Sequence, residues 1–458
     1  MKIIPISRIR SVVHGTLIKG SDDLPIKSVT YKQEQRVPSN TLFFISRKHP
    51  INYNLLHQSA PCAIIADRDI EKLRLIPGCT LIQVKNVEKA YFTFVDYYRN
   101  LFDIPVVAVT GTCGKTTTKD MIKHILSHYY KTEGTIKSVN GSSKHLTYLL
   151  KLDDSIEAAV FETPVGAPGH IPKSCRYFKP NIGIITNIGV DHLDKCKTVE
   201  AYIKAKGDMA AVLDEDGILI LNADDRNTQS IDLSSFKGKK IIYYSVKQRA
   251  DFWASDIEYG ANGMNFVLHH NHYKYRAFIP GYGEHQVYNC LAALAAVNEI
   301  GINPYDAIKV LRSFTLLEAH FQVVRGLNHS QFIIDTWNIN PTSLEAAIQT
   351  MCQIAPNRKK IALIGSIGAL GDNTTEIHQK VGEMLCRFNI DILITVGEEA
   401  NIIATECRQN KFEGKVYSFH NTVGIRSLLL KLLDSNTTLL AKCSMYDDEI
   451  MHFVNSLR

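Results

Sequence analysis

Apolar and polar positions along the chain fall into two rhythms, short apolar runs and helical stretches, which alternate almost from end to end. Up to about residue 102, strands are expected at Ile26 to Tyr31, Thr41 to Ile45, Cys62 to Ala66 and Thr80 to Val84. Helices are expected near Ser7 to Val13, Asn52 to Gln58 and Glu88 to Arg99. From 103 to 312 the runs Val106 to Val109, Ala158 to Glu162, Ile182 to Thr186 and Gly217 to Leu221 are apolar without alternation. Such runs have no face for water, so they predict buried parallel strands joined by crossover helices. Asp251 to Phe278 predicts antiparallel strands, and Glu284 to Glu299, rich in Ala and Leu, predicts a helix. Beyond 313, strands at Gln331 to Ile334, Lys360 to Ile364, Asp391 to Val396, Lys415 to Ser418 and Thr438 to Ala441 are each followed by a helical segment. The expected fold is α/β with three domains: a small N-terminal domain over 1–102, a central P-loop doubly wound sheet over 103–312, and a C-terminal Rossmann-like domain over 313–458.

Composition changes this picture little. A chain of 458 residues with 45% hydrophobic and 21% charged residues can bury three ordinary globular cores. The net charge of +6 is mild and no Lys/Arg block concentrates it, so nucleic acid is not an expected partner and acidic small molecules are. Ten cysteines are scattered without a CxxC pair, the pattern of reduced thiols in a cytosolic protein. The start, MKIIPISRIRSVVHG, breaks its apolar stretch with charge and proline, and no uncharged run reaches the ~18 residues of a membrane helix. A cytoplasmic monomer without a membrane span is expected.

Candidate chemistry centres on VVAVTGTCGKTTTKD, Val106 to Asp120. A β-branched run ends in Thr110, Gly111, Thr112, Cys113, Gly114, Lys115, Thr116 and Thr117, and a helical stretch follows at once. Strand, glycine turn and helix start make a phosphate cradle in which backbone N–H groups and the helix dipole face anionic oxygens. Lys115 adds a point charge and the Thr116 hydroxyl can ligate Mg²⁺. Val109 stands where the first glycine of GxxxxGK[ST] belongs, so the loop is a shorter variant. Glu162 ends the next buried run and is placed to hold Mg²⁺ or, more plainly, to be a surface-facing strand terminus. His192, in Asn187-Ile188-Gly189-Val190-Asp191-His192-Leu193-Asp194, would alone be read as a structural histidine, but it follows a strand of the same presumed sheet edge. Cys113 fits a position that demands only a small residue. The cluster His269-His270-Asn271-His272 reads as a solvated hairpin tip.

TGTCGKTT, FET and NIGVDHLD, in that order, resemble the loop and metal-binding motifs of the Mur ligases, a family that joins amino acids or peptides to nucleotide-linked precursors. Later segments are similar to the dipeptide-adding branch of that family. These are TVEAYIKAKGDM, Gly283 to Asn289, Trp337-Asn338-Ile339-Asn340-Pro341, and Ile364 to Gly371 with His378 to Gly382. The resemblance covers about 350 residues. It implies an ATP-dependent, amide-forming ligase of peptidoglycan synthesis that acts through an acyl phosphate, with ATP and Mg²⁺ as cofactors and small-molecule carboxylate and amine substrates. It implies Lys115, Lys206 and His192 as catalytic residues and Thr116, Glu162, His192 and Lys206 around metal. In the family, the lysine matched by Lys206 is carbamylated by CO₂; the plainer reading is a solvated helix lysine, as Lys204 is expected to be. Asn289 and Asp335 match nucleotide-contacting positions, or are a helix amide and a turn carboxylate.

Departures cluster at the two ends of the chain. Gln33-Glu34-Gln35, before Arg36, replaces the family's Asp-Ser-Arg, and Ser46-Arg47-Lys48-His49-Pro50 replaces a glycine-rich segment. Ala319-His320 replaces Gly-Arg, Ser366 and Ala369 replace acidic groups, and Lys442-Cys443-Ser444-Met445 replaces Lys-Gly-Ser-Arg. The alternatives left open are a paralogue that ligates a non-UDP carboxylate, and an ATP-binding scaffold that has lost ligation.

Overall fold

The computed structural model describes residues 1–31, 37–140 and 142–457, without the side chains of 142–145. The Gln33-Glu34-Gln35 departure, with Arg36, lies outside the described residues. The chain forms two compact units. The first gathers Met1–Val106, Tyr130–Ala159 and Ser174–Lys179, and the second gathers Val107–Tyr129, Val160–Lys173 and Pro180–Arg458.

The first unit holds a five-stranded sheet in the order Thr16–Lys19, Cys79–Gln83, Cys62–Ala66, Thr41–Phe44, Ser28–Thr30. Its first pair is antiparallel and the others are parallel. Thr41–Phe44 and Cys62–Ala66 are buried along their whole length, as runs without alternation require. Thr16–Lys19 and the helix Ile70–Arg74 were not expected from the pattern, since both are short and neither is a buried apolar run. Helix Val87–Arg99 is tied to distant chain: the Tyr98 hydroxyl donates to Leu152 O and Arg99 Nε donates to Phe178 O at 2.8 Å.

In the second unit, strands Ile182–Ile185, Ile218–Asn222 and Lys240–Ser245 run parallel, with Ile182–Ile185 also parallel to Val106–Thr110. Three long antiparallel strands, Phe252–Tyr259, Gly263–His270 and Tyr273–Pro280, extend the same sheet. The expected antiparallel block is thus present. His269 is not part of a solvated tip, however. It is buried, stacks on Trp253 with ring centroids 3.6 Å apart, and bonds Ser255 Oγ at 2.8 Å.

A second sheet in this unit has the order Gln322–Arg325, Gln331–Asp335, Thr437–Lys442, Lys359–Ile364, Ile392–Val396, Lys415–Phe419. All its neighbours are parallel except the first pair. Alternation explains its sequence. Ile333, Ala362, Leu393 and Leu440 pack into one core, while Phe332, Ile334, Ile361, Leu363, Ile394 and Leu439 pack into the other. With both faces covered by helices, the middle positions of both faces are apolar, and the strands read as hydrophobic runs with polar residues mostly at their ends. The α/β class expected from the pattern is the one observed.

Candidate functional site

The phosphate loop starts where strand Val106–Thr110, buried throughout, gives way to two glycines with positive φ, Gly111 at +147° and Gly114 at +80°. Helix Lys115–Tyr129 begins directly after them. Both glycines are dictated by neighbours as well as by backbone. A Cβ at Gly111 would run into Thr186 Oγ1, and one at Gly114 into Asn289 Oδ1. Gly114→Ala is therefore expected to cost about 1–3 kcal/mol from the left-handed backbone alone. It should also weaken nucleotide binding, measured by calorimetry with ADP, by more than about tenfold because the cradle must shift.

The loop is held from below by the segment after strand Ile182–Ile185. Thr112 N donates to Asn187 O at 2.8 Å and Cys113 N donates to Asn187 Oδ1 at 3.0 Å. Asn187 Nδ2 and Thr186 Oγ1 both donate to Cys113 O, at 3.1 and 2.6 Å. Thr186 and Asn187 were not singled out from the sequence, although Asn187 opens the NIGVDHLD motif. An amide that both donates to and accepts from one loop residue is visible only once the two strands are side by side.

Lys115, Thr116, Glu162, Lys206 and Asn289, all expected site residues, gather around this loop. Lys115 Nζ donates to Thr112 O at 2.9 Å, so its ammonium lies over the cradle. Thr116 Oγ1 donates to Glu162 Oε2 at 2.9 Å, and Glu162 is buried at its strand end. Asn289 is buried in helix Glu284–Glu299, where its Oδ1 accepts from Thr118 Oγ1 at 3.3 Å. His192 has a left-handed backbone and stands 4.0 Å from Asp191, with its pKa lowered mainly by burial.

Lys206 is not a solvated helix lysine. It is 1% exposed in helix Val199–Ala211 and donates from Nζ to Gly111 O at 2.7 Å, with the Tyr202 ring 4.6 Å away. Burial, and then the charge of Lys115, push its pKa well below the usual lysine value, against the pull of Asp191. Lys204, by contrast, is exposed. Asp335 faces Lys442: Nζ donates to Oδ2 at 2.6 Å, and Phe321 N donates to Oδ1 at 3.3 Å. Half-buried His285 lies in the field of the same pair, and desolvation of its ring takes its pKa down to about 4. Sequence reading marked Lys442 only as part of a changed motif; its ion pair needs the parallel register that sets Asp335 opposite it.

The donor set fits a hard divalent cation. A hydroxyl and a carboxylate lie within hydrogen-bond distance beside the cradle. Among the described residues no three His, Cys, Asp or Glu side chains form a ready-made cage. That is how Mg²⁺ is usually held, by one or two protein oxygens with phosphate and water completing the shell. One open groove of about 580 Å³, at the far end of the phosphate-loop helix beside His124, His128 and Lys309, includes none of these residues.

Two family models match the chain: Mur ligase middle domain over residues 109–297, and Mur ligase, glutamate ligase domain over residues 321–445. The chain belongs to the Mur ligase family. It is 31% identical over 299 residues to the UDP-N-acetylmuramoyl-tripeptide--D-alanyl-D-alanine ligase of Bacillus subtilis, a match covering 65% of this chain and 64% of that one. A crystal structure of MurF from Acinetobacter baumannii superposes with a TM-score of 0.85 at 24% identity, covering 100% of this chain and 99% of that one. MurF ligase from Thermotoga maritima in complex with ADP superposes with a TM-score of 0.79 at 20% identity, over 94% and 97% of the two chains. These two share the fold. The Mur ligase resemblance seen in the sequence is thereby established, and no helix among the described residues is long and apolar enough to cross a membrane.

The departures from the Mur ligase pattern have visible structure. Ala319 stands at φ +60°, a conformation that glycine takes without strain. Its neighbour His320, in place of arginine, stacks on Trp337 with ring centroids 5.2 Å apart.

Proposed function

We propose that this Mur ligase joins D-alanyl-D-alanine to UDP-N-acetylmuramoyl-tripeptide with ATP, in peptidoglycan synthesis. The observation that carries the reading is the convergence of Lys115, Thr116, Glu162 and Lys206 on one glycine loop, inside a fold shared with MurF structures. A cradle of this kind binds the phosphates of ATP through backbone N–H groups and the Lys115 ammonium. The substrate carboxylate attacks the γ-phosphorus, ADP leaves, and an acyl phosphate forms. The amine then attacks the acyl carbon, and phosphate leaves from the tetrahedral intermediate. Lys115 stabilises charge on the transferring oxygens, and the loop fixes their position.

Thr116, Glu162, His192 and Lys206 are assigned to metal. Mg²⁺ there would neutralise phosphate charge, with Thr116 and Glu162 as its oxygen ligands. A neutral buried amine is the form that adds to CO₂, so the depressed pKa supports a carbamate at Lys206, which would present oxygens to a second cation. Asn289 and Asp335 are assigned to the nucleotide, Asp335 oriented by Lys442. Three functional parts, 1–102 for the nucleotide-linked substrate, 103–312 for ATP and 313–458 for closure, and a cytoplasmic monomer, complete the proposal.

The test supplies ATP, Mg²⁺, UDP-N-acetylmuramoyl-tripeptide and D-alanyl-D-alanine and measures phosphate release. Turnover that needs all four is expected. Turnover only with another carboxylate or amine would replace the substrate assignment and keep the chemistry. The replacement of arginine by His320 and Met445 favours that second reading.

A further inference from the structure

Asn340 is 1% exposed and caps helix Pro341–Ile354, fourteen residues long, beside the phosphate loop. Its Oδ1 accepts from Ser343 N at 2.9 Å and from the Cys113 thiol at 3.4 Å. The Ser343 N–H on this oxygen fixes which way the amide lies, because a flipped amide would set its NH₂ against a backbone donor. Nδ2 is then a buried donor with no protein partner among the described residues. Buried donors are rarely left unpaired outside sites that serve a ligand.

The surroundings suit an anion. The helix presents its positive end here, with Pro341 at its first position and Ser343 Oγ accepting from Asn340 N at 3.1 Å. The Thr342 hydroxyl stands so close to Gly189 that a Cβ there would collide with it. Lys115 and Lys442 both act electrostatically on Cys113, opposed by Asp191, while Asp335 pairs with Lys442. Nδ2, the helix end and the loop lysine therefore form a group of donors at one place on the phosphate loop.

We propose that Asn340, at the N-terminus of helix Pro341–Ile354, is a binding residue for an oxyanion presented to the phosphate loop. The anion is the phosphoryl group in transit or the carboxylate of the incoming amine, which share one recognition chemistry. The proposal rests on the ligase reading above for the identity of these anions.

Asn340→Asp tests it. The carboxylate still accepts from Ser343 N and keeps the cap, but it replaces the NH₂ donor with an acceptor. Asn340→Ser, which also caps, removes the donor without adding charge and covers the case in which the aspartate variant fails to fold. ADP affinity of the Asn340→Ser variant, measured by calorimetry, should stay within about twofold, since the phosphate loop itself is intact and no charge is added. If the phosphoryl group is the ligand, kcat falls by about 10²-fold with unchanged KM for D-alanyl-D-alanine. If the carboxylate is the ligand, KM for D-alanyl-D-alanine rises by about tenfold or more while KM for its C-terminal amide does not. Unchanged kcat and KM in both variants overturns the proposal. Should the wild-type chain turn over no substrate pair, the ligase reading fails by itself. Binding of inorganic phosphate in the presence of ADP then decides the oxyanion site: weakening by about tenfold in both variants supports it, and equal binding overturns it.

Discussion

Lys115→Ala is expected to lower turnover by about 10²–10³-fold while leaving the fold intact. The ammonium lies over the cradle through one bond to Thr112 O and the side chain is only half-buried, so its removal deletes charge and little packing. The loss should fall on kcat as well as on ATP affinity, because charge on the transferring phosphoryl group is greatest between ground states. The check is phosphate release at saturating ATP, with far-UV circular dichroism to confirm folding. A variant with wild-type kcat would remove Lys115 from the chemistry and leave it a binding residue. The scaffold alternative makes a different forecast, ADP binding that depends on Lys115 with no substrate-dependent turnover at all.

Lys206→Met is expected to lose turnover by about 10²-fold or more and, in CO₂-depleted buffer, to melt at a higher temperature than the wild-type chain. Both effects follow from burial. The folded chain holds this amine deprotonated over a pH range in which the unfolded chain holds it protonated, because the folded value lies well below the ordinary one. The unfolded state then binds more protons, so stability rises with pH from the lowered value up to about 10.4, and is lost as pH falls through that window. Methionine fills similar space without this cost. Wild-type activity should decline in CO₂-free buffer and return on adding bicarbonate, and intact-mass measurement should track the modification. Activity indifferent to CO₂ would leave Lys206 as a donor to Gly111 O that shapes the loop without carrying a carbamate.

These two residues differ in how readable they were. Lys115 follows a β-branched run and two glycines within the same short stretch, so strand, turn and helix are all local and the charge must sit at the helix start. Lys206 is one of two lysines on an ordinary helix, and only resemblance to a family distinguished it from Lys204. Its burial comes from the fold, which lays Lys206 against Gly111, beside Tyr202 of its own helix, and leaves Lys204 outside. The same contrast separates Glu162, legible as a carboxylate ending a buried run, from Lys442, whose meaning depends on a parallel register with Asp335 more than a hundred residues away. His269 went the other way. The residues after it, His270-Asn271-His272, are polar and suggest a solvated turn, but cross-strand pairing with Trp253 buries it.

By itself the sequence determined the α/β class, the position of most strands in the three larger sheets, and the phosphate loop, because all of these rest on periodicity and local backbone preference; Thr16–Lys19, Thr132–Gly134, Lys240–Ser245 and Gln322–Arg325 were not legible in it. Tertiary structure decided what each polar group meets. It put Thr116 against Glu162, Asn289 against Gly114, Asn187 under the loop, and Asn340 with a spare donor beside Cys113. Hydrogen bonds and pKa values depend on distance and burial, and neither is a property of a stretch of chain until the sheets have brought distant strands to a common edge.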